Sequence, residues 1–163
     1  MMNENDYNRL VMQHSDGIFR FLARICGDRA KAKDLTQDVF LKLWECRMNI
    51  DDNKTRAWLF KTAHNAFIDN ERHNKIMIKD NDYLDLQCQK VQNGYSDLKE
   101  VLSNALSALP EMQKSAILLR DYEGYSYDEI GKILSLSAQQ VKVYIFRART
   151  SLKQMIGKIE NVI

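Results

Sequence analysis

The sequence predicts an all-α protein of two small helical domains joined by a flexible linker, and three observations carry that reading. Apolar residues recur at three- and four-residue spacing through most of the chain. Turn formers are scarce: six glycines and a single proline in 163 residues are too few for a β-rich fold of this size. Finally, the periodicity fades between about Lys75 and Ser96, where Asn, Asp, Gln and Gly94 dominate, and returns afterwards.

The first helix is expected over Asp6 to Cys26, with Tyr7, Leu10, Val11, Ile18, Phe21, Leu22 and Ile25 on one buried face. Gly27 suits its C-terminal stop and Asp28 the N-cap of the next helix. That second helix runs to about Cys46, with Leu35, Val39, Phe40, Leu43 and Trp44 inward. Asp34, Asp38, Leu41 and Glu45 form a different stripe. The polar run Asn49 to Asn53 breaks the pattern. A third helix starts near Thr55 and passes Arg72, with Leu59, Ala63, Ala66 and Phe67 on its core side. Trp58, Lys61, Asn65, Asp69 and Arg72 lie on a more polar face, and Trp58 is read as a core residue.

Within the linker a short helical piece is expected around Tyr83 to Val91, and helical order returns at Leu98, Val101, Leu102, Ala105 and Leu109. Pro110 suits a helix start, and the helix it opens is expected to reach about Tyr122 and end near Gly124. Ser126-Tyr127-Asp128-Glu129 is a capping box, and Ser137-Ala138-Gln139-Gln140 repeats the form at the next helix. Between them lie about two helical turns and the short turn Ser135-Leu136, with Gly131 placed to let the two helices approach. Val141, Ile145, Ala148, Leu152 and Met155 give the last helix its buried face. By spacing this is a helix-turn-helix.

Charge supports a nucleic-acid contact there. The formal net charge is only +2, yet Ile130 to Ile159 contains no Asp or Glu while holding Lys132, Lys142, Arg147, Arg149, Lys153 and Lys158. In a helix-turn-helix, the N-terminal half of the second helix meets the major groove. Gln139, Gln140, Lys142, Val143, Phe146 and Arg147 take those outward positions. Arg149 and Lys153 suit phosphate contacts.

Other classes fit poorly. His14, His64 and His73 are scattered, and no H-E-x-x-H, G-x-S-x-G or phosphate-binding glycine loop occurs. The expectation is therefore no enzyme, no cofactor and no metal. Cys26, Cys46 and Cys88 are odd in number and widely spaced, as reduced thiols of a cytoplasmic protein would be. The polar, acidic start MMNENDYNRL does not read as a signal peptide, and no apolar run reaches membrane-spanning length, so no membrane insertion is expected.

With these residues in view, the chain resembles the extracytoplasmic-function (ECF) sigma factors of bacterial RNA polymerase over nearly its whole length. Asp34 to Trp44 resembles the family's D-x-x-Q-[ED]-x-F-x-x-[LA]-[WY] signature, and Ala57 to Asn65 its A-W-L-[YF]-x-I-A-x-N signature. Leu109-Pro110 with Gln113, Tyr125 to Ile130, and Val141-Lys142 with Arg147-Ala148-Arg149 resemble three pieces of its region 4. The resemblance implies region 2 over 1–75, a linker over 76–96 and region 4 over 97–163. It implies core RNA polymerase (the β′ clamp helices and the β subunit), promoter DNA and a separate anti-sigma factor as partners.

It also implies roles. Asp34, Gln37, Asp38, Leu41, Lys42 and Glu45 would bind the polymerase. Lys61, Asn65, Asp69 and Arg72, with the loop from Asn49 to Lys54, would hold the melted minus-10 strand. Gln139, Gln140, Lys142, Val143, Phe146, Arg147 and Arg149 would read or flank the minus-35 duplex. The chain departs from common members at Gln139-Gln140, where Gly-Thr is common, at Val143-Tyr144, where Ser-Arg is common, and at Ser135, where a turn glycine is frequent. The promoter sequence therefore does not follow from the resemblance. An ordinary two-domain helix-turn-helix regulator is the alternative, and the acidic stripe around Leu41 argues against it.

Overall fold

The computed structural model describes residues 2–80 and 97–160, and these contain helices and turns without a strand. The first helix, α1 (Glu4–Cys26), starts two residues earlier than the periodicity predicts. Its first turn is closed by a reciprocal box: Asn3 accepts from the Asp6 N–H, and Asp6 accepts from the Asn3 N–H. Gly27 ends it in the left-handed conformation (φ 67°), and Asp28 caps α2 (Arg29–Cys46) by accepting from the N–H groups of Ala30 and Lys31.

A single 3₁₀ turn, Asp52–Lys54, leads into α3 (Thr55–Asp80), which continues five residues past the boundary expected at Lys75. The short helix expected within Tyr83 to Val91 lies outside the described residues. The three helices close on Ile18, Phe21, Leu22, Val39, Leu43, Leu59 and Ala63, all essentially sealed from solvent. Phe21 meets Phe60 edge to face at 5.3 Å, and the Tyr7 hydroxyl donates to the Phe40 carbonyl across the α1–α2 contact. Trp58 is partly buried against this core, as read from sequence.

The C-terminal half begins with α4 (Asp97–Ser107) and α5 (Glu111–Ile117). Pro110 precedes α5 in extended backbone (φ −55°, ψ 148°), so it stands at the cap rather than as the first helical residue. The expectation of one α-helix running to Tyr122 needs correction. From Leu118 to Tyr122 the chain winds as a π turn, in which the Glu123 N–H donates to the Leu118 carbonyl five residues back. The widened turn lets Arg120 reach the Tyr125 carbonyl, which ties down the chain on its way to the next helix. Then come α6 (Tyr127–Leu134) and α7 (Ala138–Glu160), packed over Ile130, Ile133, Val141, Ile145 and Ala148.

The two halves do not stand apart. Their buried residues form one continuous cluster, with α3 against α6 and α1 against α4 and α5. Nothing in the sequence reading anticipated that contact. At its centre His64 of α3, 5% exposed, lies with Nδ1 3.1 Å from the Ser115 hydroxyl of α5. Burial lowers the His64 pKa to about 4, so the ring is neutral at pH 7.

The sign of the consequence follows from which state takes the proton first. The unfolded chain binds it near pH 6.5 and the folded chain only near 4, so stability falls as pH drops through that window. At full effect the loss approaches ~3 kcal/mol. Urea melts between pH 7.5 and 4.5 should show this slope in the natural protein, and His64→Gln should flatten it. An unchanged slope would mean that other groups govern the acid limb.

Candidate nucleic-acid and polymerase interface

Two exposed surfaces, one on each half, gather the residues singled out from sequence. On α2, Asp34, Gln37, Asp38, Leu41, Lys42 and Glu45 are all exposed, and Leu41 holds 57% of its surface open between the carboxylates of Asp38 and Glu45. The helix turns this row outward because Leu35, Val39 and Leu43, interleaved with it, are held in the core. On α3, Lys61, Asn65, Asp69 and Arg72 are likewise exposed along one side.

These two rows meet. Asp38, Leu41, Lys42 and Glu45 of α2 and Asp69 and His73 of α3 line one open groove between the helices. Periodicity assigns faces within a helix and not the angle between helices, so nothing in the residue pattern joins them. Lys61, Asn65 and Arg72 do not line the groove but continue the α3 row beside it. Lys31 donates to Glu71 at 3.0 Å near the far end of α3, pinning α2 to α3.

The second surface is the helix-turn-helix, and its local geometry is fully accounted for. Ser126 and Glu129 exchange bonds at the start of α6 (3.2 and 3.0 Å), and Ser137 and Gln140 do the same at the start of α7 (3.1 and 2.9 Å). Between them Ser135 takes the left-handed conformation at φ 59°, ψ 46°, where the family resemblance puts a glycine. The N–H groups of Ser135 and Leu136 both donate to the Gly131 carbonyl.

This turn sets α7 with Val141, Ile145 and Ala148 buried, and with Gln139, Gln140, Lys142, Val143, Phe146, Arg147 and Arg149 outward. Phe146 is 70% and Val143 45% exposed, apolar groups presented to solvent on an otherwise cationic helix. Two residues of the row have local duties that sequence does not disclose. Gln140 spends its carbonyl oxygen on the Ser137 N–H, which leaves its amide NH₂ to face a partner. Arg149 forms a two-pronged pair with Asp121 of the π turn, at 2.6 and 3.4 Å.

Sequence reasoning also missed Arg120 and Tyr127. Arg120 stacks over the Tyr127 ring at 4.8 Å, the Lys142 ammonium lies 6.0 Å from the same ring, and the three border a groove with Ser126 and Gln139. Only the π turn brings Arg120 there, and no spacing rule marks such a turn. Burial pushes the Cys26 thiol up to about 11, the opposite of an activated nucleophile.

Comparison with known proteins agrees with both halves. Residues 10–75 match the family model for sigma-70 region 2, and residues 99–152 match sigma-70 region 4. The ECF RNA polymerase sigma factor SigM of Bacillus subtilis is 30% identical over 160 residues, covering 94% of this chain and 97% of that protein. The chain belongs to the ECF RNA polymerase sigma factors.

SigE of Mycolicibacterium smegmatis, another ECF sigma factor, is 30% identical over 159 residues, and this chain spans 62% of that longer protein. Among solved structures, the sigma factor RpoE of Bartonella quintana, in complex with the anti-sigma factor NepR, superposes with a TM-score of 0.82 at 25% identity. The match covers 94% of this chain and 98% of that one. CnrH, in complex with the cytosolic domain of CnrY, shares the fold with a TM-score of 0.70 at 22% identity. No helix among the described residues of this ECF sigma factor is long and apolar enough to cross a membrane.

Proposed function

We propose that this ECF sigma factor brings core RNA polymerase to promoters by two separate contacts and performs no covalent chemistry of its own. Region 2 is assigned to 1–75, a linker to 76–96 and region 4 to 97–163. Asp34, Gln37, Asp38, Leu41, Lys42 and Glu45 grip the polymerase, at the β′ clamp helices. A half-exposed leucine framed by carboxylates suits a basic helical partner: the apolar contact supplies affinity and the charges supply orientation. That exposed Leu41 between Asp38 and Glu45 is the observation that carries the reading, because an ordinary helix-turn-helix regulator has no use for it.

Lys61, Asn65, Asp69 and Arg72 receive the melted minus-10 strand beside that contact. Cationic groups hold backbone phosphates, while amide and carboxylate groups meet the edges of unstacked bases. In region 4, Gln139, Gln140, Lys142, Val143, Phe146 and Arg147 face the minus-35 duplex. Val143 and Phe146 suit thymine methyls, and Gln139 a base edge. Arg149 serves a phosphate once it leaves Asp121, and the β subunit holds region 4 in place. The work is done in the cytoplasm, where the polymerase is. The complex of the similar sigma factor RpoE with the anti-sigma factor NepR supports a separate anti-sigma protein as restraint.

Run-off transcription with core enzyme tests the whole reading: promoter-dependent transcripts should need both proteins. If this chain alone binds promoter duplex and gives core enzyme no preference, the regulator reading replaces it. Within region 4, Arg147→Ala should weaken promoter binding by about 1–3 kcal/mol with relaxed preference at one base pair if Arg147 reads a base. Uniform weakening across sequences, with a shallower salt dependence, would instead make it a phosphate contact.

A further inference from the structure

The boxes that open α6 and α7 are closed by different residues. At α6 the third helical residue is Glu129, whose carboxylate accepts from the Ser126 N–H at 3.0 Å. At α7 it is Gln140, whose Oε1 accepts from the Ser137 N–H at 2.9 Å. In both, the hydroxyl of the cap serine accepts from that residue's own N–H, at 3.2 and 3.1 Å. As caps the two residues are equivalent. What the amide adds is its other end, an NH₂ with two hydrogens where a carboxylate has only a second acceptor.

The box also decides which way that amide faces. A main-chain N–H donates to Oε1 alone; the amide turned over would set its own hydrogens against the Ser137 N–H, donor against donor. Gln140 is exposed and heads a row with Val143 and Arg147, three and seven residues on, opposite the buried Val141, Ile145 and Ala148. In a helix-turn-helix, such a row at the start of the second helix meets base edges. The groove is therefore offered Nε2 as a donor, while Oε1 is turned back on the cap.

That restricts what Gln140 can read. Adenine pairs with a glutamine whose oxygen and nitrogen face it together, the oxygen taking an N6 hydrogen while the nitrogen donates to N7. Guanine presents two acceptors, N7 and O6, and asks for donors alone. Cytosine presents its N4 donor, which an NH₂ cannot meet, and thymine a single acceptor beside a methyl group. Gln139, exposed one residue earlier, lies outside the box, so no cap dictates how its amide turns. The two glutamines are alike in sequence and unlike as readers.

We propose that Gln140 is a specificity-determining residue of the minus-35 contact: held by its cap as a donor, it selects guanine over adenine at one base pair. The proposal rests on the assignment of region 4 to the minus-35 duplex.

Gln140→Glu isolates the donor. Glutamate closes the box as Glu129 does at α6, and a carboxylate in the first turn suits the helix dipole, so the melting temperature should hold. The outward hydrogens give way to an acceptor, which guanine repels and the cytosine N4 hydrogens meet. Core polymerase loaded with the natural chain or with the variant is assayed by run-off transcription on promoters that carry each base in turn at every minus-35 position. The natural chain should prefer guanine about tenfold at one position, and the variant should lose that preference and favour cytosine there. The added charge weakens every promoter alike, so the ratio between bases is the reading.

Gln140→Met carries neither the donor nor a charge, and it should lose the guanine preference without a gain for cytosine. A guanine preference that survives in either variant overturns the proposal. So does a natural preference for adenine or thymine at the position these variants change, or a uniform loss with every base ratio intact, the mark of a phosphate contact. If the natural chain shows no preference at any minus-35 position, the region 4 assignment itself fails and takes the proposal with it.

Discussion

Asp38→Arg is expected to abolish association with core RNA polymerase while leaving the thermal unfolding of the protein unchanged. Asp38 sits on the open side of α2, one turn before Leu41 and two before Glu45, and it lines the groove shared with α3. No ion pair among the described residues uses it, and its neighbour Val39 carries the packing on the opposite side. Reversing its charge therefore costs region 2 little, since exposed substitutions away from caps and cores stay within about 0.5 kcal/mol.

At the interface the same change sets like charge against a basic partner, which costs several kcal/mol, or a loss of roughly a hundredfold or more in affinity. Native gel co-migration with core enzyme would read it directly. Undiminished co-migration would remove the α2 stripe as the docking surface. Asp38→Asn separates charge from shape: it should weaken binding less than the arginine and make the remainder less sensitive to salt.

How much of this was legible in the residues depends on whether the cause was local. Caps were: Asp28, Ser126 and Ser137 signal helix starts because one side-chain oxygen satisfies the N–H groups two or three residues on, and the structure makes each of those bonds. The buried rows of α1, α2 and α7 followed from spacing for the same reason. Leu118 to Tyr122 has ordinary helical composition, and no local residue pattern marks a five-residue turn there. The contact between the halves was invisible because Lys114, Ser115 and His64 are polar residues whose burial is decided by partners 51 and 89 positions away. The surface rows proposed to touch polymerase and DNA were legible as exposed rows, while the groove that joins Asp69 to the α2 row depended on the α2–α3 packing.

Gly131→Val carries the second large effect, and its sign runs against the usual rule. In the middle of a helix a glycine is ordinarily a weakness, and replacing it with a residue bearing a Cβ gains up to about 1 kcal/mol. Here a Cβ on residue 131 would lie 2.5 Å from the backbone oxygen of Leu136, a separation that no pair of such atoms tolerates. The obstacle is main chain, so no rotamer can move it aside. Nor can the turn drift freely, because the Gly131 carbonyl itself accepts from Ser135 and Leu136 and Ser135 is already held at φ 59°.

The turn must therefore open, tilting α7 on α6 and disturbing Ile130, Val141 and Ile145 beneath it. Overpacking of this kind costs about 1–3 kcal/mol before the lost turn bonds are counted, a large share of what holds a small helical unit together. The expected result is a protein that loses minus-35 duplex binding at 37 °C while retaining polymerase association through α2. Gly131→Ala should show the same loss in milder form, since even the first carbon collides. If Gly131→Ala bound promoter duplex as well as the natural chain and melted higher, the close passage of α6 over the turn would not be what orients the recognition helix.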